Sequence, residues 1–394
     1  MKKLKKDRLK ILAFLVLISV PLVLFSQDEE KEEEKSPYQF TIEKQVPHTP
    51  IKNQYRTGTC WDFATISFLE SEFLRMGKEE VDLSEIFVVR QTYPQKAENY
   101  IRLHGNATFG QGGQSHDVAD QIRQYGIVPE EVYPGMNIGE KKHNHGEIFS
   151  MLKAVLDGTL KGRKLTPRWK DAFNAVLDIY LGKPPVDFIY KDKKYTPKSF
   201  AEDFCCWDFD DYIELTSYAH QPFYEKCRLE VPDNWTYNAN YYNVPINDIE
   251  KIIDFAIKKG YSVAWDGDVS GRDFSSRKTG YAIVPEKDWE EKTEAEKKEK
   301  ITKLVKEKKI TQEMRQKTYN NYQTTDDHLM HIVGIAHDQE GTKFYYTKNS
   351  GGIIDRKNDG YVYMSKSYVR LKTIAVMVNK NALPKKIKKK LGLK

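Results

Sequence analysis

Cysteine is scarce: four residues in 394, with no Cys-x-x-Cys pair. Without such pairs there is little basis for a structural zinc site. A phosphate-binding loop is also missing. Gly110-Gln111-Gly112-Gly113-Gln114 is glycine-rich, but no Lys-Ser or Lys-Thr follows it. There is no internal repeat. Charge of one sign is short as well once the N-terminus is set aside. The formal net charge is +6, and residues 1–26 carry six basic side chains and one acid, leaving the remainder near +1. That balance offers no basic face for nucleic acid. No cofactor or metal is expected. His143-Asn144-His145 stands in a polar loop and reads as exposed.

The apolar run Ile11–Phe25 is broken only by Ser19 and Pro21 and is 15 residues long. It falls short of the roughly 20 residues of a membrane span. Behind a basic start, and followed by Ser26-Gln27, residues 1–26 read as a signal peptide or, failing cleavage, a membrane anchor. The expected location is exported: the periplasm or cell envelope of a bacterium, with a possible membrane tether. Residues 27–46 read as an acidic linker, dominated by the charge run Asp28–Lys35. No folded pro-segment is expected in the short stretch before Gln54. Export permits disulfides. Adjacent Cys205 and Cys206 are too strained to bridge each other, so either can pair with Cys227.

Aromatic residues are plentiful: 24 tyrosines and 12% aromatic residues in all. A chain of this length and composition can bury the core of two lobes or of one enlarged domain. Its most informative stretch is Gln54-Tyr-Arg-Thr-Gly-Thr-Cys60-Trp61. From Cys60 on, Trp61, Ala64, Thr65, Phe68, Leu69, Glu72 and Met76 recur at helical spacing, with Gly77 as a stop. A thiol at a helix start faces unpaired N–H groups and the positive end of the macrodipole, which favour thiolate. Taken alone, such a cysteine is more often an inert buried thiol.

Further along, Ser84 is placed to cap a helix, and His116–Tyr125 reads helical up to Gly126. Residues 136–235 read as a helical insertion with amphipathic segments near 147–160 and 168–182. Ile246–Lys259 is a helix, followed by a strand at Tyr261–Trp265. Residues 286–318 read as a charged, exposed helical insertion. Strands are expected at 328–336, 343–348, 360–364 and 373–378, joined by Gly, Asn and Asp turns as in an antiparallel sheet. Residues 381–394 read as a mobile basic tail.

A cysteine nucleophile needs a base, a group to orient the base, and donors for the oxyanion. His328 at the mouth of a strand can supply the base and Asn349, after the next strand, the orienting carbonyl. Gln54 and the Cys60 N–H can supply the oxyanion donors. His331 competes with His328, because alternation along a strand lets only one of them face a cleft. His337 falls in a turn.

Gln54-x5-Cys60-Trp61 ahead of a helix resembles the papain-like cysteine peptidases. So do Leu83-Ser84-Glu85, Gly112-Gly113-Gln114, Gly126-Ile-Val-Pro129, Tyr133-Pro134, His328 with Gly334, and Asn349-Ser350. The spacing of 268 from Cys60 to His328, and the Gly360-Tyr-Val-Tyr-Met ending, resemble the bleomycin hydrolase and aminopeptidase C branch. The resemblance implies an α+β, papain-like two-lobed fold, with the Cys-bearing helix central to a helical lobe, an antiparallel β lobe, and helical insertions. The peptidase domain is expected over 47–380. The resemblance selects His328 over His331 and implies hydrolysis of peptide substrates through Cys60, His328, Asn349 and Gln54. Substrate would lie along Gly112, Gly113 and Gln114. An aminopeptidase is expected; a papain-like scaffold that binds peptide without cleaving it is the alternative. Acyl transfer to an acceptor amine uses the same residues. Three features depart from the pattern. Thr57 and Thr59 replace a cysteine and a Ser/Ala, Gly351 replaces the tryptophan that shields the His–Asn pair, and the lysine-rich C-terminus does not match the branch's trimming tail.

Overall fold

In the computed structural model, which describes residues 36–298 and 301–393, the first element is a strand where a linker was expected. All five side chains of β1 (Thr41–Gln45) are exposed. What holds it is backbone pairing, antiparallel, against residues 334–337. Tyr38 and Val46 on either side are buried. The linker boundary at 46 is therefore corrected: residues 36–46 belong to the fold. Residues 27–35 and the signal or anchor segment lie outside the described residues.

The helical lobe starts with α1 (Cys60–Arg75), α2 (Glu85–Arg102) and α3 (Ser115–Tyr125). Ser84 caps α2, accepting the Phe87 N–H at 3.0 Å. Helix α1 is buried on every side, including Ser67, Glu70 and Glu72. Buried polar groups need partners. Glu70 takes the Leu83 N–H at 3.0 Å and Lys52 at 3.1 Å, and Glu72 pairs with Arg75 at 2.8 Å. Helices α4 (Gly146–Leu160) and α5 (Arg168–Leu181) pack on each other through Leu152, Leu156, Phe173 and Leu177.

The expected helical insertion over 136–235 is only partly helical. After α5 come a hairpin, β2 (Phe188–Tyr190) and β3 (Lys193–Tyr195), and the short α6 (Pro197–Ser199). Then β4 (Tyr212–Thr216) and β5 (Lys226–Cys227) enter the main sheet, joined by β6 (Tyr241–Asn243). Helix α7 (Ile246–Lys258) buries Ile249, Ile252, Ile253, Ala256 and Ile257 along one stripe and leads into β7 (Val263–Gly267). After β8 (Phe274–Ser275) and β9 (Tyr281–Ala282), the segment expected as a charged, exposed helical insertion is helical, among its described residues, in a 3-10 turn at Trp289–Glu291, in α8 (Glu294–Lys298) and in α9 (Gln312–Asn320). Between α8 and α9, Lys306 and Lys308 hydrogen-bond to Glu286 and Val284 by backbone, so the chain there is extended along the body.

The remaining elements are β10 (His328–His337), β11 (Lys343–Lys348), β12 (Tyr361–Ser365), α10 (Lys366–Lys372), β13 (Thr373–Asn379) and α11 (Lys385–Lys390). Eleven strands form one sheet among the described residues, in the order β5-β6-β4-β13-β7-β10-β11-β12-β9-β8, with β1 also on β10. Along one edge of β10, residues 328–332 pair with β7 and 334–337 with β1. A Cβ on Gly334 would sit 2.7 Å from the Lys44 carbonyl oxygen, so only glycine lets β1 cross there.

Alternation divides β10 between two cores. Leu329, with Ala264 of β7, packs on α1 and the helical lobe, while Met330 and Ile332 pack with α7 in the sheet core. The C-terminus corrects the mobile-tail expectation. Leu383, Ile387 and Leu391, spaced by four, are buried in the sheet core. Each contributes roughly 1.5–3 kcal/mol by leaving water, enough to dock a lysine-rich turn. All four cysteines are free, so neither Cys205 nor Cys206 is bridged to Cys227. Among the described residues no helix is long and apolar enough to cross a membrane.

Candidate active site

Cys60 is the first residue of α1 and 8% exposed. The loop ahead of it is clamped from the glycine-rich segment. Gln111 accepts the Gly58 N–H on Oε1 at 2.8 Å, and its carbonyl accepts Trp61 Nε1–H at 2.9 Å. Sequence reading passed over Gln111; its place between the glycines was the available signal. The backbone of Leu329, the residue that follows His328, stands near the Cys60 thiol and acts to lower its pKa.

The strand alternation separates the two histidines. His328, half-buried at the open end of β10, donates Nε2–H to Asn349 Oδ1 at 2.8 Å, which leaves Nδ1 free to accept a proton. Asn349 is held in turn: its Oδ1 also accepts the Ser350 N–H at 2.7 Å. His331 is 1% exposed, with Nδ1 on Ser67 Oγ at 2.9 Å and its ring edge-on to Phe68, beneath α1. His337 closes the strand near Glu43, at 3.6 Å.

Gln54 is tied to the same turn. Its backbone N–H bonds the Ser350 carbonyl at 2.9 Å, and its Oε1 accepts Ser350 Oγ–H at 2.5 Å. One amide hydrogen goes to the Thr57 carbonyl at 2.8 Å. A primary amide has two, so one remains to be donated.

The three residues expected to line the substrate have different surroundings. Gly112 is covered: Asp233 Oδ2 would lie 1.9 Å from a Cβ placed there, and Lys96 donates to the Gly112 carbonyl. At Gly113 a Cβ would fall 3.0 Å from the Trp61 ring. Gln114 is buried, takes Asp117 Oδ2 on its N–H at 2.8 Å, and donates Nε2–H to Asp326 Oδ2 at 3.0 Å. Asp326 was not singled out from sequence, although it stands two residues before His328. The His143–His145 loop is not exposed as expected. His145 is 2% exposed with neither ring nitrogen bonded, and no group of metal-binding side chains occurs among the described residues.

A sequence model of the Peptidase C1-like family matches residues 88–393, well over half of the chain. The chain belongs to the Peptidase C1-like family. The match takes in His328 and Asn349; Gln54 and Cys60 lie ahead of it. Aminopeptidase W of Lactobacillus delbrueckii subsp. lactis is 24% identical over 392 residues, covering 88% of this chain and 84% of the relative. Aminopeptidase G of the same organism is 22% identical, covering 86% and 83%. The crystal structure of PepW from Lactobacillus rhamnosis HN001 superposes with a TM-score of 0.69 at 19% identity, over 89% of this chain and 84% of that one. The papain-like α+β fold and the cysteine-type peptidase class read from the motifs follow from these matches.

In this Peptidase C1-like chain the place of the missing tryptophan is taken by a cation. A Cβ on Gly351 would lie 2.6 Å from Arg356 Nη2, and Arg356 Nη1 donates to Ser276 Oγ at 2.6 Å. A guanidinium near the His–Asn pair acts differently from an indole. Burial lowers the His328 pKa, the Asn349 bond and the Asp327 charge oppose that, and Arg356 lowers it further. Burial pushes the Cys60 thiol up to about 12, with Asp266, Asp326 and Asp233 adding to the shift. Burial thus opposes the ionisation that the helix start favours.

Proposed function

We propose that the chain is a thiol-dependent aminopeptidase. Cys60 attacks the peptide carbonyl and forms an acyl-enzyme, losing its proton to His328 Nδ1. The imidazolium then protonates the leaving amine, and water, deprotonated by the same ring, releases the acid. Asn349 holds the ring orientation. The free amide hydrogen of Gln54 and the Cys60 N–H receive the oxyanion. The observation that carries this reading is the 2.8 Å bond from His328 to Asn349, made at the end of β10, whose next residue, Leu329, has its backbone near the Cys60 thiol. The names of the relatives support the amino-terminal preference.

The test is hydrolysis of aminoacyl arylamides with free and with acetylated amino groups, by the wild type and Cys60→Ala. Loss of cleavage in the variant, with a preference for the free amine, is expected. An equally active variant sinks the nucleophile assignment, and preference for the acetylated substrate makes the chain an endopeptidase.

A second reading, a peptide-binding protein that does not cleave, draws on Arg356 beside Gly351 and on the burial that raises the thiol pKa. It predicts peptide binding without labelling of Cys60 by a peptidyl electrophile. Residues 1–26 are proposed to export the chain; N-terminal sequencing of secreted material would show cleavage after Ser26 or an intact anchor.

A further inference from the structure

Near Cys60 stand carboxylates that the reaction above does not use. Asp266 of β7 is the cross-strand partner of Leu329, whose backbone stands near the Cys60 thiol. It is 3% exposed; no side chain meets full hydrogen-bond geometry with its oxygens, and Asp326 and Gln114 are the groups that approach them. Half-buried Asp326 lies against it. Gln114 backs the pair: its Oε1 accepts Tyr241 Oη–H at 3.2 Å and its Nε2–H goes to Asp326 at 3.0 Å. No lysine, arginine or histidine pairs with Asp266 or Asp326 among the described residues; their charged neighbours are other acids, Asp233 among them. Lys96 is the cation nearest Asp233, and it is spent on the Gly112 carbonyl.

An ionised carboxylate buried without donors is costly, and two together cost more. Burial and mutual repulsion raise the pKa of both. Such a pair is stabilised by a ligand that brings both positive charge and N–H donors. In hydrolysis from a free amino end, one carbon separates the α-nitrogen from the attacked carbonyl. The group that reads that nitrogen must therefore stand within a few ångströms of the sulfur.

We propose that Asp266 and Asp326 form a cation subsite beside Cys60, which receives a positively charged nitrogen of the peptide: its α-ammonium, or the side chain of a lysine or arginine. The proposal rests on the peptidase reading and deepens it. Seating a cation there also offsets the negative field that these acids impose on the thiol, so that substrate itself eases ionisation of Cys60.

The experiment compares matched substrates on the full chain. One pair is alanyl arylamide and its N-acetyl form; the other is N-acetyl-lysyl-alanyl arylamide and its norleucyl counterpart. The wild type is expected to favour the cationic member of one pair by about tenfold or more, chiefly in KM, as for a charge-assisted bond in a shielded site. Preference in the first pair assigns the α-ammonium, and in the second the basic side chain. In Asp326→Asn and Asp266→Asn that ratio should fall toward one. If the isosteric change at buried Asp266 prevents folding, half-exposed Asp326 carries the test. A wild type that does not discriminate in either pair overturns the subsite and leaves the peptidase standing. So does an equal loss on both members of a pair in the variants. If nothing is cleaved and Cys60 resists a peptidyl electrophile, the peptidase reading falls and the subsite with it.

Discussion

Two histidines three residues apart on one strand have opposite surroundings. His328 sits at the end of β10, half-exposed, with one ring nitrogen fixed by Asn349 and the other left open. His331 sits in the middle, sealed beneath α1, bonded to Ser67 and close to Lys348. One strand thus carries the proposed base, with one ring nitrogen open, and a buried polar core residue. Position along the strand makes the difference: at the end the cleft is open, while in the middle both faces are packed.

The sharpest way to break the comparison is to remove each ring. His328→Ala is expected to cut kcat/KM by about a thousandfold with little change in melting temperature, as for loss of a general base. A fall of under about tenfold would move the base elsewhere. Asn349→Ala should cost less, about 10- to 100-fold in kcat, because an orienting partner tunes the ring without replacing it.

His331→Ala should act on stability instead. It empties a packed site and strands Ser67, for a loss of about 2–4 kcal/mol in denaturant unfolding, while kcat per folded molecule holds. The pH dependence has a definite sign. His331 is held well below 6.5, and His143 and His145 at about 4 and about 3. The unfolded chain takes up those protons near 6.5 and the folded chain does not, so stability falls as pH drops below that value. His331→Gln should flatten that slope, measured as unfolding midpoint against pH. The smallest effect is expected from Arg356→Met. Removing a cation that depresses the His328 pKa should move the acid limb of kcat/KM upward by about half a pH unit or less.

How much of this was legible varies with what each residue type signals. Helix α7 and the Ser84 cap could be read because apolar spacing and a capping hydroxyl are local. Strand β1 could not: Thr-Ile-Glu-Lys-Gln has exposed side chains and is held by backbone pairing alone. The terminal turn hid in plain view, since Leu383, Ile387 and Leu391 keep helical spacing among lysines that dominate the composition. At the site, Cys60, His328, Asn349 and Gln54 stood out through motif resemblance. Asp266 did not, because a single acid in an apolar strand has no pattern until its neighbours are known. Arg356 has no signal at all, since it fills a space defined by a glycine five residues earlier.

The sequence alone determined the elements and the chemistry available: a cysteine at a helix start, histidines on a strand, an asparagine at a turn, and a family resemblance that joins them. These follow from local spacing and residue type. Tertiary structure alone decided what replaces the tryptophan and that buried carboxylates without a paired cation stand near the thiol. Each depends on burial and on groups brought together from distant parts of the chain. Desolvation and charge proximity set reactivity there, and neither is a property of a residue by itself.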